Sequence, residues 1–201
     1  MVEKYRVGRA SLREALRILE VHGLIVIRPG PGGGPMVAAV DSRHFARMAS
    51  LYLHLCEATY RDVMEGRLVM EPVMARLAAE RQDPANVAEL TAFLATQPQD
   101  DAAYMHAATG FHALLSGMSG NPVLDLMGRS LKDIYTDRIE SLIFLASARA
   151  QVQEDHSRIA KAIMAGNANQ AEKLMRVHME EFLRQAQERS PGVLDEIVDW
   201  H

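Results

Sequence analysis

The sequence predicts a mainly α-helical protein in which a short basic head precedes an all-α body. Hydrophobic residues make up 48% of the 201 residues and aromatic residues only 5%, a balance that suits helix–helix packing better than packed sheets. From Asp41 onward, amphipathic helical periodicity recurs between short turn clusters. Strand-like and glycine-rich segments are found only before that point, so we expect a small head of mixed structure and a helical bundle.

Charge is distributed unevenly along the chain. Residues 1–40 contain six basic and three acidic residues, a net charge of +3, so the total of −4 leaves −7 on the body. This asymmetry indicates that a polyanionic partner would meet the head. Cys56 is the only cysteine, and the sequence has no secretory segment and no apolar run of about 18 residues. We therefore expect a cytoplasmic protein without disulfides or membrane spans.

The sequence of the head predicts a basic helix followed by a β-hairpin. An apolar stripe with helical spacing predicts a helix over residues 10–22, which Gly23 ends. Arg9, Arg13 and Arg17 follow an i, i+4 spacing on a second face. LIVIRPG then predicts a strand, PGPGGGP a loop and MVAAV a returning strand. The simplest interpretation is a solvated face and an ordinary turn, but this order of elements also suits a helix in a DNA major groove with the hairpin tip along phosphates.

The sequence of the body predicts consecutive helices separated by clusters of turn-forming residues. The predicted spans are 41–56, 59–82, 84–96, 100–118, 121–146, 149–165 and 168–189. Breaks fall at DPAN, QPQD, SGNP and GNAN, and Asp83 and Ser119 are candidate N-caps.

Three histidines on separate predicted helices are candidate metal ligands. His156 and His178 each lie about 11 residues from the turn at Gly166 and Asn167, so antiparallel packing would bring them to one height. His112, on an earlier helix, could add a third nitrogen to a divalent metal site. Spacing alone nevertheless favours ordinary hydrogen-bonded histidines.

Two arginines of the body are candidates for binding a carboxylate. Arg67 is the better candidate for a bidentate clamp, and Arg138 is the weaker one. The alternative for Arg67 is an ordinary i, i+4 pair with Glu71 on a helix surface.

The segment VGRASLREALRILEVHGLIVIRPGPGGGPMV resembles the second half of the winged helix–turn–helix of GntR-type bacterial regulators. The resemblance implies that Arg9 and Arg13 contact operator DNA and that Arg28 and Gly30 belong to the wing. Gly8 departs from the family, which usually has Ser or Thr there. The family also precedes this motif with a first helix and most of a second, whereas only MVEKYRV stands here. We therefore expect residues 1–40 to be a truncated winged-helix domain that binds DNA poorly or not at all.

Residues 41–201 resemble the FCD ligand-binding domain of the FadR subfamily, through three motifs in the family's order. These motifs are DVMEGRLVMEPVMARLAAER, FHALLSGMSGNPVLDLM and EDHSRIAKAIMAGNANQAEKLMRVHM. The resemblance implies that His112, His156 and His178 bind a metal together with an aspartate in the pattern D-x-x-F-H. Here the pattern reads ATGFH, so Ala108 stands at the carboxylate position. Three states remain open: a zinc or nickel site completed by water or an effector carboxylate, a metal-free anion pocket, and a vestigial pocket.

These features favour a ligand-responsive DNA-binding transcriptional regulator that senses a small organic acid and is not an enzyme. We expect a homodimer, because paired half-sites in DNA require two-fold symmetry. The alternatives are a helical effector-binding module that has lost DNA binding through truncation and, less favoured, a three-histidine metalloenzyme. The metalloenzyme lacks a His-Glu-x-x-His helix and an obvious carboxylate base near His112.

Overall fold

A computed structural model describes residues 2–38, 41–96, 100–136, 138 and 149–200. It divides into two compact units, Met1–Phe45 and Ala46–His201. The elements in order are α1 (Val2–Tyr5), α2 (Arg9–Val21), β1 (Ile25–Arg28), β2 (Gly34–Val37), α3 (Ser42–Leu55), α4 (Tyr60–Arg81), α5 (Pro84–Ala95), α6 (Asp101–Met118), α7 (Pro122–Tyr135), α8 (Arg149–Met164), α9 (Ala168–Arg189) and α10 (Pro191–Leu194). The predicted mainly α-helical fold class is confirmed.

The first unit contains the predicted basic helix and hairpin. Gly23 has a φ of 67°, the left-handed conformation that commonly follows a helix C-terminus. β1 and β2 pair antiparallel, and Arg28 lies opposite Gly34. The returning strand therefore begins two residues earlier than predicted. The N–H of Gly33 donates to the carbonyl of Gly30 over 2.9 Å, which closes the turn early enough for Gly34 to start the pairing.

The helices of the body begin and end close to the predicted positions because their caps can be read from the sequence. Thr59 and Asp62 form a reciprocal capping box at the start of α4. Asp83 caps α5 by accepting from two backbone N–H groups, as predicted. For α7 the predicted cap is wrong: Asn121, two residues after Ser119, accepts from the first backbone N–H groups of the helix. The part of the predicted helix over 139–146 lies outside the described residues.

Helix α4 lies at the centre of the second unit. It packs against α6, α7, α8 and α9. Small and flexible apolar side chains let these helices approach closely and fill the space between them. The most completely buried members of this core include Met74, Ala75, Phe111, Ile159, Ile163, Met175 and Met179. No described helix is both long and apolar enough to cross a membrane.

Candidate metal centre

The structure brings His112, His156 and His178 together from α6, α8 and α9. One ring nitrogen from each lies within 4.8 Å of those of the other two. The Nε2 atoms of His156 and His178 are 3.2 Å apart, and both side chains are buried. The equal distance of these two residues from the α8–α9 turn, read from the sequence, explains why they face each other.

Neighbouring groups fix the orientation of the three rings. The ring of Phe111 stacks on that of His156 at a centroid distance of 4.1 Å. His112 and His178 lie nearly parallel at 5.5 Å, and His156 meets both edge-on. Because each ring is held by packing, little conformational entropy remains to be lost when a ligand binds at their common centre.

Carboxylates stand behind two of the histidines. Nδ1 of His112 donates to a Glu71 carboxylate oxygen, since an ionised carboxylate can only accept. Nδ1 of His178 lies 3.7 Å from the carboxylate of Asp155. In this arrangement Nε2 of each ring points away from the carboxylate, and Nε2 of His178 faces that of His156. It is the carboxylate–histidine pairing found behind metal-binding imidazoles.

Burial keeps the imidazoles of His156 and His112 neutral. Desolvation, aided by His178 and His112, holds the pKa of His156 well below its usual value. Desolvation also lowers the pKa of His112, against the opposing effect of Glu71. Burial alone would raise the pKa of Glu71, but Arg67 and His112 outweigh it and lower that pKa to about 2. At neutral pH the centre therefore presents two neutral imidazoles whose lone pairs need no deprotonation to bind a cation.

A small cavity, here called the histidine cavity, lies beside the three rings. Its volume of about 20 Å³ is enough for a water molecule or a metal ion. Its wall includes Arg67, Ala108, Thr109, Lys132, Tyr135 and Phe182 besides the histidines. Ala108 is buried and contributes only a methyl group where the resemblance led us to look for a carboxylate.

The two predicted effector arginines have different surroundings. Arg67 lines the histidine cavity, but its Nε donates to Glu71 over 2.6 Å and its guanidinium lies over the Tyr135 ring. The predicted i, i+4 ion pair between Arg67 and Glu71 therefore exists. It does not lie on the helix surface, because both side chains are only 4% exposed. Arg138 makes a bidentate pair with Glu196 and is not among the residues that line the cavity.

The candidate DNA-binding residues lie on the surface of the first unit. Arg9 opens α2, Arg13 follows one turn later and Arg28 ends β1, and all three are exposed. Gly30, with a φ of 96°, lies in the turn between the strands.

Sequence reasoning missed the roles of Glu71, Asp155 and Lys132. The sequence suggested Glu71 only as an ion-pair partner of Arg67. A residue one turn beyond a buried arginine lies on the same face of the helix, and this was the available signal that Glu71 is also buried. Asp155 immediately precedes His156 in the chain, which gave no sign that it would approach His178 on the next helix. Lys132 carried no distinguishing pattern.

A small unit with a basic helix and a hairpin precedes an all-α unit that contains a histidine cluster, and this order suits a ligand-responsive transcriptional regulator. The family model described as the FCD domain matches residues 62–181, more than half of the chain. The chain therefore belongs to the FCD domain family, and it is a regulator of the GntR type with a FadR-like body.

Individual relatives agree with this assignment. The chain is 27% identical to the HTH-type transcriptional regulator LutR of Bacillus subtilis over 187 residues, which cover 89% of this chain and 84% of LutR. It is 29% identical to Mce2R of Mycobacterium tuberculosis over 185 residues, covering 86% of this chain and 74% of that protein. The solved structure of Streptococcus agalactiae GntR has a TM-score of 0.65 at 24% identity and covers 91% of this chain and 85% of its own. At that identity the likeness supports the fold.

Proposed function

We propose that this regulator senses a small carboxylate effector at a divalent transition metal held by His112, His156 and His178. The observation that carries the proposal is the convergence of three imidazoles from three helices, two of them backed by carboxylates. Buried histidines that only stabilise the core do not need their Nε2 atoms aimed at one another.

The donor set suits zinc or nickel better than calcium or magnesium, because imidazole nitrogen favours borderline transition metals. A metal held by these residues would supply an electrophilic centre for an effector oxygen. Glu71 and Asp155 orient the rings of His112 and His178, and Phe111 holds His156 in place.

Of the two arginines named from the sequence, we retain Arg67 as the effector-facing cation and give Arg138 only a secondary place. Arg67 lies in the wall of the histidine cavity, whereas Arg138 is engaged by Glu196. Without a metal, the same cavity would be an anion pocket formed by Arg67 and the histidines.

We assign DNA binding to residues 1–40 and sensing to residues 41–201. Arg9 and Arg13 would contact operator DNA from α2, while Arg28 and Gly30 approach phosphates from the hairpin. A homodimer in the cytoplasm would present two such heads to paired half-sites, and an effector would act by favouring one dimer geometry over another.

Native mass spectrometry combined with elemental analysis tests this proposal. We expect a dimer with one zinc or nickel per protomer, and loss of the metal in His156→Ala and His178→Ala variants. His106→Ala is the matched control, because His106 is an exposed histidine on the helix that carries His112. A folded wild-type dimer that binds neither metal would contradict the metal site and leave the anion pocket. Equal metal content in the His178→Ala variant would contradict the ligand assignment.

A further inference from the structure

Helix α3 carries apolar side chains on two opposite sides. On its inner side Ala46 is buried, and Leu53 packs against the core. Met48, Tyr52 and Leu55 lie within about 60° of one another on the opposite side of the helix. Their side chains are between 62% and 73% exposed. These three residues are here called the outer face of α3. A surface helix usually has polar residues on the side away from the core, so an apolar outer face indicates an interaction surface.

The C-terminal segment of the chain adds apolar surface beside the last turn of α3. The backbone N–H of Val198 donates to the carbonyl of Ala58, and its carbonyl accepts from Nδ1 of His54 over 2.9 Å. These bonds hold the segment against the end of the helix. The ring of Trp200 lies 6.4 Å from that of His54 and remains more than half exposed. Trp200 therefore contributes an aromatic side chain to the rim of the outer face.

The exposed large apolar residues of the second unit are concentrated at this place. In the part of the unit that the structure describes, five of them belong to α3 and the C-terminal segment: Met48, Tyr52, Leu55, Ile197 and Trp200. The other three are single valines on α4, α7 and α9: Val69, Val123 and Val177. Scattered apolar residues are normal on a protein surface, whereas a group of them marks a site of association.

The size of this apolar surface suits the central part of a protein–protein interface. Tyr52, Leu55, Met48 and Trp200 are each more than half exposed. Each such side chain offers about 100 Å² of surface, and the four together about 400 Å². A stable interface of standard size buries about 800 Å² on each partner, with an apolar centre and a polar rim. The outer face and Trp200 therefore supply about the apolar half of what a stable dimer needs.

The spacing of the outer face fits another helix with the same face. Met48, Tyr52 and Leu55 follow one another at intervals of four and three residues, which is the spacing of helices that pair along a seam. Two copies of α3 can pack antiparallel about a two-fold axis near Tyr52. Met48 of one copy then meets Leu55 of the other, and the two tyrosine rings meet near the axis.

The charges beside the outer face favour the antiparallel direction. Arg47 and Glu57 are both exposed near opposite ends of the face. An antiparallel copy brings Arg47 close to the height of Glu57 of the partner, and the two-fold axis repeats this at the other end. Opposite charges therefore approach each other at both ends of the pair, whereas a parallel copy would place like charges at the same height.

We propose that two copies of this chain associate through the outer faces of their α3 helices, packed antiparallel, with Trp200 at the rim. This inference rests on the homodimer of the proposed function, and it names the surface that forms the dimer. The three histidines lie on α6, α8 and α9, so the contact between copies and the candidate metal centre use different helices.

Sedimentation velocity of the full chain over a range of concentrations measures the dissociation constant of the dimer. Tyr52→Glu and Leu55→Glu should each weaken the dimer at least about 100-fold, because every dimer would then bury two carboxylates without partners. Val177→Glu is the matched control, because Val177 is an exposed apolar residue on α9. It should leave the dissociation constant within about twofold. All three positions are exposed, and circular dichroism establishes that each variant is folded.

A disulfide between copies tests the position of the two-fold axis. Cys56 is the only cysteine, so Cys56→Ser gives a background without thiols. At the axis of two helices packed about 8–10 Å apart, the facing Cα atoms lie within the roughly 4.4–6.8 Å that a disulfide spans. Copper phenanthroline and air should therefore link the Tyr52→Cys, Cys56→Ser variant into a covalent dimer. The Val177→Cys, Cys56→Ser variant should stay unlinked.

The outcomes separate the inference from the homodimer on which it rests. A wild-type dimer that survives both Tyr52→Glu and Leu55→Glu unchanged would overturn the inference and leave the homodimer standing on another surface. Weakening by these variants without a disulfide at position 52 would overturn the antiparallel arrangement. A monomeric wild type would overturn the homodimer and the inference together and would leave the outer face to a partner of different sequence.

Discussion

Nδ1 of His112 donates to the carboxylate of Glu71, and the other oxygen of the same carboxylate accepts from Nε of Arg67 over 2.6 Å. Glu71 and Arg67 are both almost fully buried on α4. The carboxylate therefore links a charged pair within one helix to an imidazole on another. Through this link, α4 determines which nitrogen of His112 faces the cavity.

Glu71→Gln is expected to lower zinc affinity about 10- to 100-fold. Glutamine has the same shape and can still accept from His112, but it no longer makes the imidazole more basic or compensates nearby positive charge. Isothermal titration calorimetry of zinc into metal-free protein measures the change. Glu80→Gln is the matched control, because Glu80 forms an i, i+4 pair with Arg76 on the exposed side of the same helix. Equal affinities in the wild type and Glu71→Gln would show that Glu71 does not support the metal centre.

The Arg67–Glu71 pair should show strong coupling in a double-mutant cycle. Glu71→Gln leaves a buried guanidinium without its counter-charge, so we expect it to lower the free energy of unfolding by about 3–5 kcal/mol. Adding Arg67→Met removes that charge, and the double variant should recover part of the loss. The exposed Arg76–Glu80 pair provides the comparison, with an expected coupling below about 1 kcal/mol. Urea denaturation gives both cycles, and additive effects at Arg67 and Glu71 would contradict the buried pairing.

Much of the helical framework could be predicted from the sequence because its signals are local. Thr59, Asp62 and Asp83 are caps whose side chains act on backbone groups two or three residues away. The contact between His156 and His178 was also predictable. The two residues lie equally far from the tight turn that joins their helices, so antiparallel packing places them side by side.

The parts that could not be predicted depend on contacts between distant residues. The i, i+4 spacing of Arg67 and Glu71 is the same on a surface and in a core, and only the packing of α4 among four other helices decides between them. The C-terminal segment gave no periodic signal, yet Ile197 forms an isolated bridge with Thr59, and Val198 donates to the carbonyl of Ala58.

Two helical glycines should respond in opposite ways to alanine. A Cβ at Gly128 on α7 would come within 2.9 Å of the Met74 side chain and closer still to Ser116, so Gly128→Ala is expected to destabilise the fold by about 1–3 kcal/mol. A Cβ at Gly66 on α4 would meet only Leu131, at 3.6 Å. Gly66→Ala should therefore be neutral or stabilise by up to about 1 kcal/mol, through helix propensity. Thermal unfolding compares the two variants. An equal loss of stability in both would contradict the close approach of α7 to Met74 and Ser116.

The metal-free protein should lose stability as the pH falls below about 6.5, the usual pKa of histidine in an unfolded chain. Burial lowers the pKa of His156 and His112 in the fold, so in this window the unfolded chain takes up protons that the folded chain does not. The free energy of unfolding then decreases by up to about 1.4 kcal/mol per pH unit for each histidine, until the folded pKa is reached.

Urea denaturation of chelator-treated protein between pH 7.5 and pH 5 measures this slope. His156→Gln should make the slope shallower whatever its effect on absolute stability, because glutamine does not titrate. His106→Gln, which alters an exposed histidine of α6, should retain the wild-type slope. Zinc-loaded wild type should resist the loss further, since protons must displace the metal before they reach the imidazoles. A slope that is unchanged by His156→Gln would mean that His156 is not held neutral in the folded protein.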